Sequence, residues 1–350
     1  MSGQPPTAPK PPGMNRWIVV AIAAVIVVLG ALALFYRQQS ETRPATSGLP
    51  TVRVGVLQYG TVNWELDVVK KHMLDKKAGV NIEVVPLASK NATAVALQGD
   101  AVDVIVTDWI WVSRQRAAGL DYTFAPYSIA AGGIVVRPNS EITKLADLRG
   151  KKIGIAGGPV DKSWILLQAY ARKTLGVDLA DIVNPVYGAP PLLNELILKG
   201  EIDANLTFWN FEARLKAAGM KQLIAIPDVI HSLVTESEVP VLGWVFSDSW
   251  AAKNPQAIEG LLHATAEARD ILAKSDSEWS RLRPLMGAAN DAEFAALRDA
   301  FREGIPHSSA REDAEAAAAV YSVLVEFGGP ELVGDEKELS PGTFWADSLN

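Results

Sequence analysis

The chain has 350 residues, a formal net charge of −7 and no cysteine. The mild acidity and the lack of a Lys/Arg stripe argue against nucleic acid. The absence of cysteine excludes disulfides, thiolate metal sites, a thiol nucleophile and a lipidated-cysteine anchor.

Residues 1–16 form a Pro-rich polar tail. "WIVVAIAAVIVVLGALALFY" (17–36) follows without a charge, and as a helix it spans roughly 30 Å, one bilayer core. Trp17 and Tyr36 stand at its two ends, where interfacial aromatics belong. It reads as a transmembrane helix or signal anchor. A cleaved signal peptide is the alternative, with "ALA" (31–33) as the cleavage site. Lys10 and Arg16 on one side balance Arg37, Arg43 and Arg53 on the other, so charge does not set orientation. Residues 37–50 are a polar linker with no apolar period.

From residue 51 strands and helices alternate. "TVRVGVLQ", "NIEVVPL" and "VDVIVT" read as strands, with helices at 64–74, 91–98 and 110–118. "GGIVVRP", "KKIGIAGG", "DIVNPVY", "IDANLT" and "QLIAIP" continue the strands, with helices at 162–175, 190–199 and 210–218. Such alternation predicts parallel sheets with crossover helices, and the short apolar strands suit sheets covered on both faces. After "VPVLGWVFSDSW" (239–250) the chain is almost all helix. Ile258, Leu261, Leu262, Thr265, Ala268 and Leu272 mark one amphipathic face. The tail 329–350 carries Phe344 and Trp345, expected to pack back onto the body. No internal repeat is read from the sequence.

In open α/β sheets ligands bind beyond the carboxyl ends of strands. Four such ends carry polar groups and large aromatics together: Gln58, Thr61, Asn63 and Trp64; Thr107, Asp108 and Trp109; Gly157, Gly158, Ser163 and Trp164; Phe208 and Trp209. They are the candidate lining of one cleft. Each also has a plain structural reading. A tryptophan on a helix is usually core, Asp108 and Asp161 suit helix N-caps, and the glycines permit a tight turn. The four histidines are isolated and lack metal spacing, and no dinucleotide, phosphate-loop or nucleophile-elbow motif occurs. No metal or cofactor is implied.

"LADLRGKKIG" (145–154), "AVALQGDAVDV" (94–104), "LKGEIDA" (198–204) and "NPQAIEGLLHATAEA" (254–268) resemble the solute-binding proteins of nitrate/sulfonate/taurine-type ABC importers, over roughly residues 51–345. The resemblance implies an α/β, two-lobed periplasmic binding protein fold of type II. Lobe 1 would hold 51–135 and 245–328, and lobe 2 would hold 138–238. Hinges would lie near Val136–Asn139 and Val239–Trp244. It further implies a monomeric body outside the cytoplasmic membrane, a small-molecule ligand taken between the lobes, and ABC permease subunits as partners. The usual binding protein has a cleaved signal or a lipidated cysteine, so the segment 17–36 leaves open a membrane-tethered sensor or accessory role. A relative on this fold makes the thiamine pyrimidine with a cysteine-rich motif. That motif is absent here, so the chain reads as a binder and not an enzyme. For the ligand, Ser163, Thr107 and Lys162 suit an anion such as a sulfonate. Trp64, Trp109, Phe208 and Trp209 favour a flat or apolar organic molecule, and the balance of the lining leans to the second.

Overall fold

The computed structural model describes residues 48–234, 238–328 and 330–345. The Pro-rich tail, the apolar segment 17–36 and the linker up to residue 47 lie outside the described residues. Among the described residues no helix is long and apolar enough to cross a membrane.

The first half of the body alternates as the sequence requires. In order come β1 (Thr51–Leu57), α1 (Val62–Lys71), α2 (Leu74–Lys77), β2 (Asn81–Leu87), α3 (Lys90–Gln98), β3 (Val104–Thr107), α4 (Trp109–Ala117), β4 (Tyr122–Ser128) and β5 (Gly133–Val136). A 3-10 turn (Leu145–Leu148) leads to β6 (Lys152–Ala156), α5 (Lys162–Leu175), α6 (Leu179–Ile182), β7 (Asn184–Gly188), α7 (Pro190–Lys199), β8 (Ala204–Thr207), α8 (Trp209–Ala217), β9 (Lys221–Ala225) and α9 (Ile226–Leu233). Then follow β10 (Leu242–Ser247), α10 (Asp248–Lys253), α11 (Pro255–Lys274), α12 (Asp276–Met286), α13 (Asp291–Glu303), α14 (Ala310–Gly328) and α15 (Pro330–Val333).

Two five-stranded sheets result, in the orders β2-β1-β3-β10-β4 and β7-β6-β8-β5-β9. Neither is purely parallel, which corrects the sequence expectation. In the first sheet β10 runs antiparallel to β3 and β4, and in the second β5 runs antiparallel to β8 and β9. Apolar periodicity reports that a strand is buried but not its direction, so the reversed strands are invisible to it. The strand 133–136 belongs to the second sheet, so the chain leaves the first sheet through residues 129–132 and not at the expected Val136–Asn139. The return runs through 238–241, ahead of Leu242 at the start of β10.

The chain also carries an internal repeat, which the sequence reading does not find. Each sheet is built on one plan, and its third strand and following helix recur with a spacing of one hundred residues. β3 ends in Thr107-Asp108-Trp109 and β8 in Thr207-Phe208-Trp209. α4 covers Trp109–Ala117 and α8 covers Trp209–Ala217. "RAAG" at 116–119 answers "KAAG" at 216–219, with Gly119 and Gly219 at φ 85° and 88°. Ahead of the strands, Asp103 accepts from the amide of Arg53 on β1, and Asp203 accepts from the amide of Lys152 on β6. These carboxylates fasten the third strand in each order to the second, β3 to β1 and β8 to β6.

Trp164, Trp244, Trp279 and Tyr321 are the largest fully buried side chains. α14 packs on α5 of the second sheet's layer, and Arg172 there donates to the carbonyl of Phe327. The C-terminal segment returns to the first sheet. Phe344 bridges to Phe124, and the Trp345 ring stands 5.0 Å from that of Phe246.

Candidate functional site

The strand ends of the two sheets face one another across a cavity of about 100 Å³. From the first sheet's side it is lined by Gly60 and Thr61 after β1, Lys90 and Thr93 on α3, and Thr107 ending β3. Asp161, Lys162 and Ser163 at the start of α5, with Phe208, Trp209 and Asn210 at the start of α8, line the other side. The outgoing crossing supplies Ala130, Ala131 and Gly132, and the start of β10 supplies Leu242. The approach of the chains there is tight: a Cβ on Gly132 would lie 1.8 Å from the carbonyl oxygen of Thr207, so only glycine passes.

Four charges meet at this cavity. Lys90 Nζ lies 2.7 Å from Asp108 Oδ2 and 3.9 Å from Asp161 Oδ2, so one lysine of the first sheet's layer is shared by a carboxylate from each side. Asp108 Oδ1 also accepts from the Trp111 amide at 2.8 Å, capping α4, and Asp161 Oδ1 accepts from the Ser163 amide at 2.9 Å, capping α5. Burial pulls Lys90 down, but Asp108 and Asp161 outweigh it and hold its pKa above the usual lysine value. Burial likewise pushes Asp108 up, and Lys90, Lys162 and the Trp111 amide bring it below the usual carboxylate value. Both groups are charged and already satisfied.

Lys162 is different. It is 7% exposed, its Nζ stands 5.6 Å over the ring of Phe208, and among the described residues it forms no ion pair. Burial lowers its pKa, Asp161 and Asp108 compensate only in part, and Lys90 adds to the lowering. A buried ammonium without a counter-ion is a group that an incoming anion stabilises. The start of α8 points the same way, since Phe208 at its N-cap offers no side-chain acceptor to the first amides.

Residues 76–278, more than half of the chain, match the family described as NMT1/THI5 like. The chain belongs to this family. Among solved structures, the periplasmic aliphatic sulphonate binding protein SsuA from Escherichia coli is similar with 22% identity, over 84% of this chain and 92% of that one, at a TM-score of 0.65. The alkanesulfonate-binding protein SsuA from Xanthomonas axonopodis pv. citri, bound to MOPS, is similar with 19% identity, over 86% and 99% of the two chains, at 0.67. The periplasmic nitrate-binding protein NrtA from Synechocystis PCC 6803 is similar with 15% identity, over 72% and 69%, at 0.54. These likenesses establish the periplasmic binding protein fold, with its two mixed sheets. No curated protein matches the chain in sequence.

In this NMT1/THI5-like chain the thirteen residues nominated from sequence fall into four groups. Thr61, Thr107, Ser163, Phe208 and Trp209 line the cavity, and Asp108 lies beside it, bound to Lys90. Gln58, Asn63 and Trp64 line a separate depression with Tyr59 and Phe211, and Asn63 Nδ2 donates to the carbonyls of Leu57 and Gly60. Trp64 is buried edge-on against Trp279 and Trp209, with ring centroids 5.9 and 6.0 Å away. Trp109 is turned into the core against Tyr321, and Trp164 is fully buried on α5. Gly157 and Gly158 form a left-handed turn, with φ of 85° and 90°, outside the cavity lining.

Lys90 escapes the sequence reading, although a usable signal exists. It follows β2 in "PLASK", and Ser89 caps its helix by accepting from the Ala92 amide. The strand-end rule, extended to β2, finds it. Among the described residues no cluster of His, Asp and Glu is arranged to hold a metal ion.

Proposed function

We propose that this protein is an extracytoplasmic solute-binding protein of an ABC importer, which takes a small organic anion of the sulfonate type between two lobes and presents it to a permease. The observation that carries the reading is Lys162, a buried ammonium with no ion-pair partner among the described residues, at a cavity between facing strand ends. The headgroup would pair with Lys162 and take amides at the start of α8, while its short apolar portion would lie against Phe208, Leu242 and Val106. The small cavity favours a compact ligand over the flat heterocycle that the aromatic count suggests. The named structural neighbours include binders of alkanesulfonates and nitrate, which supports the same chemistry.

In this reading the lobes turn about the crossings at 129–132 and 238–241. The ligand shifts the population toward the closed form because it touches both sides only there. The segment 17–36 would tether the body outside the cytoplasmic membrane.

Isothermal titration with methanesulfonate, ethanesulfonate, taurine and nitrate tests the proposal. One class should bind saturably and raise the melting temperature, since ligand at a hundred times its Kd adds about 2.7 kcal/mol. Binding that survives in Lys162→Met removes the anion site from this cavity. Silence across the panel in the wild type removes the ligand class.

A further inference from the structure

The crossings border a second cavity besides the cleft. It lies behind them and measures about 420 Å³, against about 100 Å³ for the first. The two have only Ala130, Ala131, Gly132 and Trp209 in common, so the outgoing crossing and one indole separate them. α8 and α9 form one wall of the rear cavity, and the end of α13 forms the other. The crossing is fixed to that end: the Ile129 amide and the Ser128 hydroxyl both donate to the carbonyl of Gly304 at 3.0 Å.

The interior is apolar, with Ile230, Val239, Pro227 and Ala225 along it. One ionisable group stands within it from a buried position. Glu212 on α8 is 6% exposed, accepts a hydrogen bond from the neutral amide of Gln222, and forms no ion pair among the described residues. Burial pushes its carboxyl up to about 7, a shift that Lys216 one turn along and the Gln222 bond reduce but do not cancel. At the mouth Glu238 and Glu303 stand with Lys216 and His231, so acidic groups exceed the charged lysine.

The internal repeat supplies an independent argument. The position of Glu212 in α8 is that of Val112 in α4, which is fully buried. An apolar side chain is therefore sufficient to pack this helix against its sheet. A carboxylate there has a desolvation cost that the fold does not require, and it faces a cavity with room for a molecule.

We propose that the rear cavity is a second binding site, for a small primary ammonium with an apolar body, whose charge pairs with Glu212 and whose hydrocarbon lies along Ile230 and Val239. The site is independent of the cleft reading, because it uses neither Lys162 nor Phe208.

Titration calorimetry of the full protein with n-butylammonium and benzylammonium tests it. At about pH 8, where a carboxyl near 7 is ionised, saturable one-to-one binding is expected. Affinity should fall by about tenfold or more in Glu212→Gln, as when a charged hydrogen bond is lost. It should fall also between about pH 8 and 6 as Glu212 takes a proton. Glu303→Gln at the mouth should weaken binding by a smaller factor, and Lys162→Met should leave it intact. Three results overturn the proposal: no saturable heat with either amine in the wild type, unchanged affinity in a folded Glu212→Gln, or loss in Lys162→Met, which would put the amine in the cleft. Should Glu212→Gln not fold, loss in Glu303→Gln and the pH profile of the wild type decide. Binding indifferent to both rejects the site.

Discussion

Thr107-Asp108-Trp109 and Thr207-Phe208-Trp209 occupy the same place in the two sheets, one hundred residues apart, yet they are used in opposite ways. In the first, Asp108 fills the helix start and holds Lys90, and Trp109 turns inward against Tyr321. That end is closed, with its donors and its charge satisfied from within. In the second, Phe208 caps nothing, the ammonium of Lys162 stands over its ring, and Trp209 lies at the boundary between the cavities, edge-on to Trp64. One backbone plan thus serves once as an anchor and once as an open face, and the change of Asp to Phe at the cap marks which is which.

Substitutions at matched positions can break this comparison. The largest effect is expected from Asp108→Ala, which leaves Lys90 with only the more distant Asp161 and uncaps α4. The loss should be about 3–5 kcal/mol, against about 1–2 kcal/mol for Phe208→Ala, read from denaturant midpoints. Equal losses would mean that the two ends are not differently used. Lys162→Met should weaken sulfonate binding about a hundredfold, or about 2.7 kcal/mol, without lowering the melting temperature of the free protein.

Glu212→Val, which restores the residue of the first copy, should stabilise the protein at neutral and alkaline pH. The folded pKa of about 7 lies above the usual value of 4.5, so the penalty is absent below about pH 4.5, grows up to about 7 and is constant above. A gain on the order of 2 kcal/mol is expected near pH 8 and none near pH 4. A gain independent of pH would assign the effect to packing. The smallest effect belongs to Arg214 on α8, which pairs with Glu293 and donates to the carbonyls of Met286 and Gly287. Arg214→Met should cost about 1–2 kcal/mol and raise the rate at which a bound ligand leaves, measured by stopped flow. An unchanged off-rate would show that this contact does not restrain the lobes.

Much of the body is legible because its strands are short apolar runs between turn residues. β4 is not, since "YTFAPYS" carries Pro126 and mixes hydroxyls with rings, and the first half of β10, residues 242–244, reads as a crossing. The repeat is hidden because only the Asp that fastens the strand, the Thr-x-Trp end and the Ala-Ala-Gly exit recur, while the residues between diverge. For the site, sequence identifies which residues stand near strand ends but not which way the first turn of a helix faces. Trp109 and Trp164 therefore pass every test that Phe208 passes, and only packing separates them. Lys162 was visible in the sequence as a cation, but that it lacks a counter-charge is a fact of three dimensions.

The antiparallel strand inside each sheet carries one more meaning. β10 sits between β3 and β4, so the first sheet has a gap in its interior until residues 242–247 arrive, long after its other four strands. A chain emerging from the ribosome has then already made the whole second sheet. The pairings that close the gap span more than a hundred residues and form late. The earliest-made part of the body is therefore the last to reach its final form, and a nascent chain stopped before residue 242 holds an unfilled slot with two exposed strand edges.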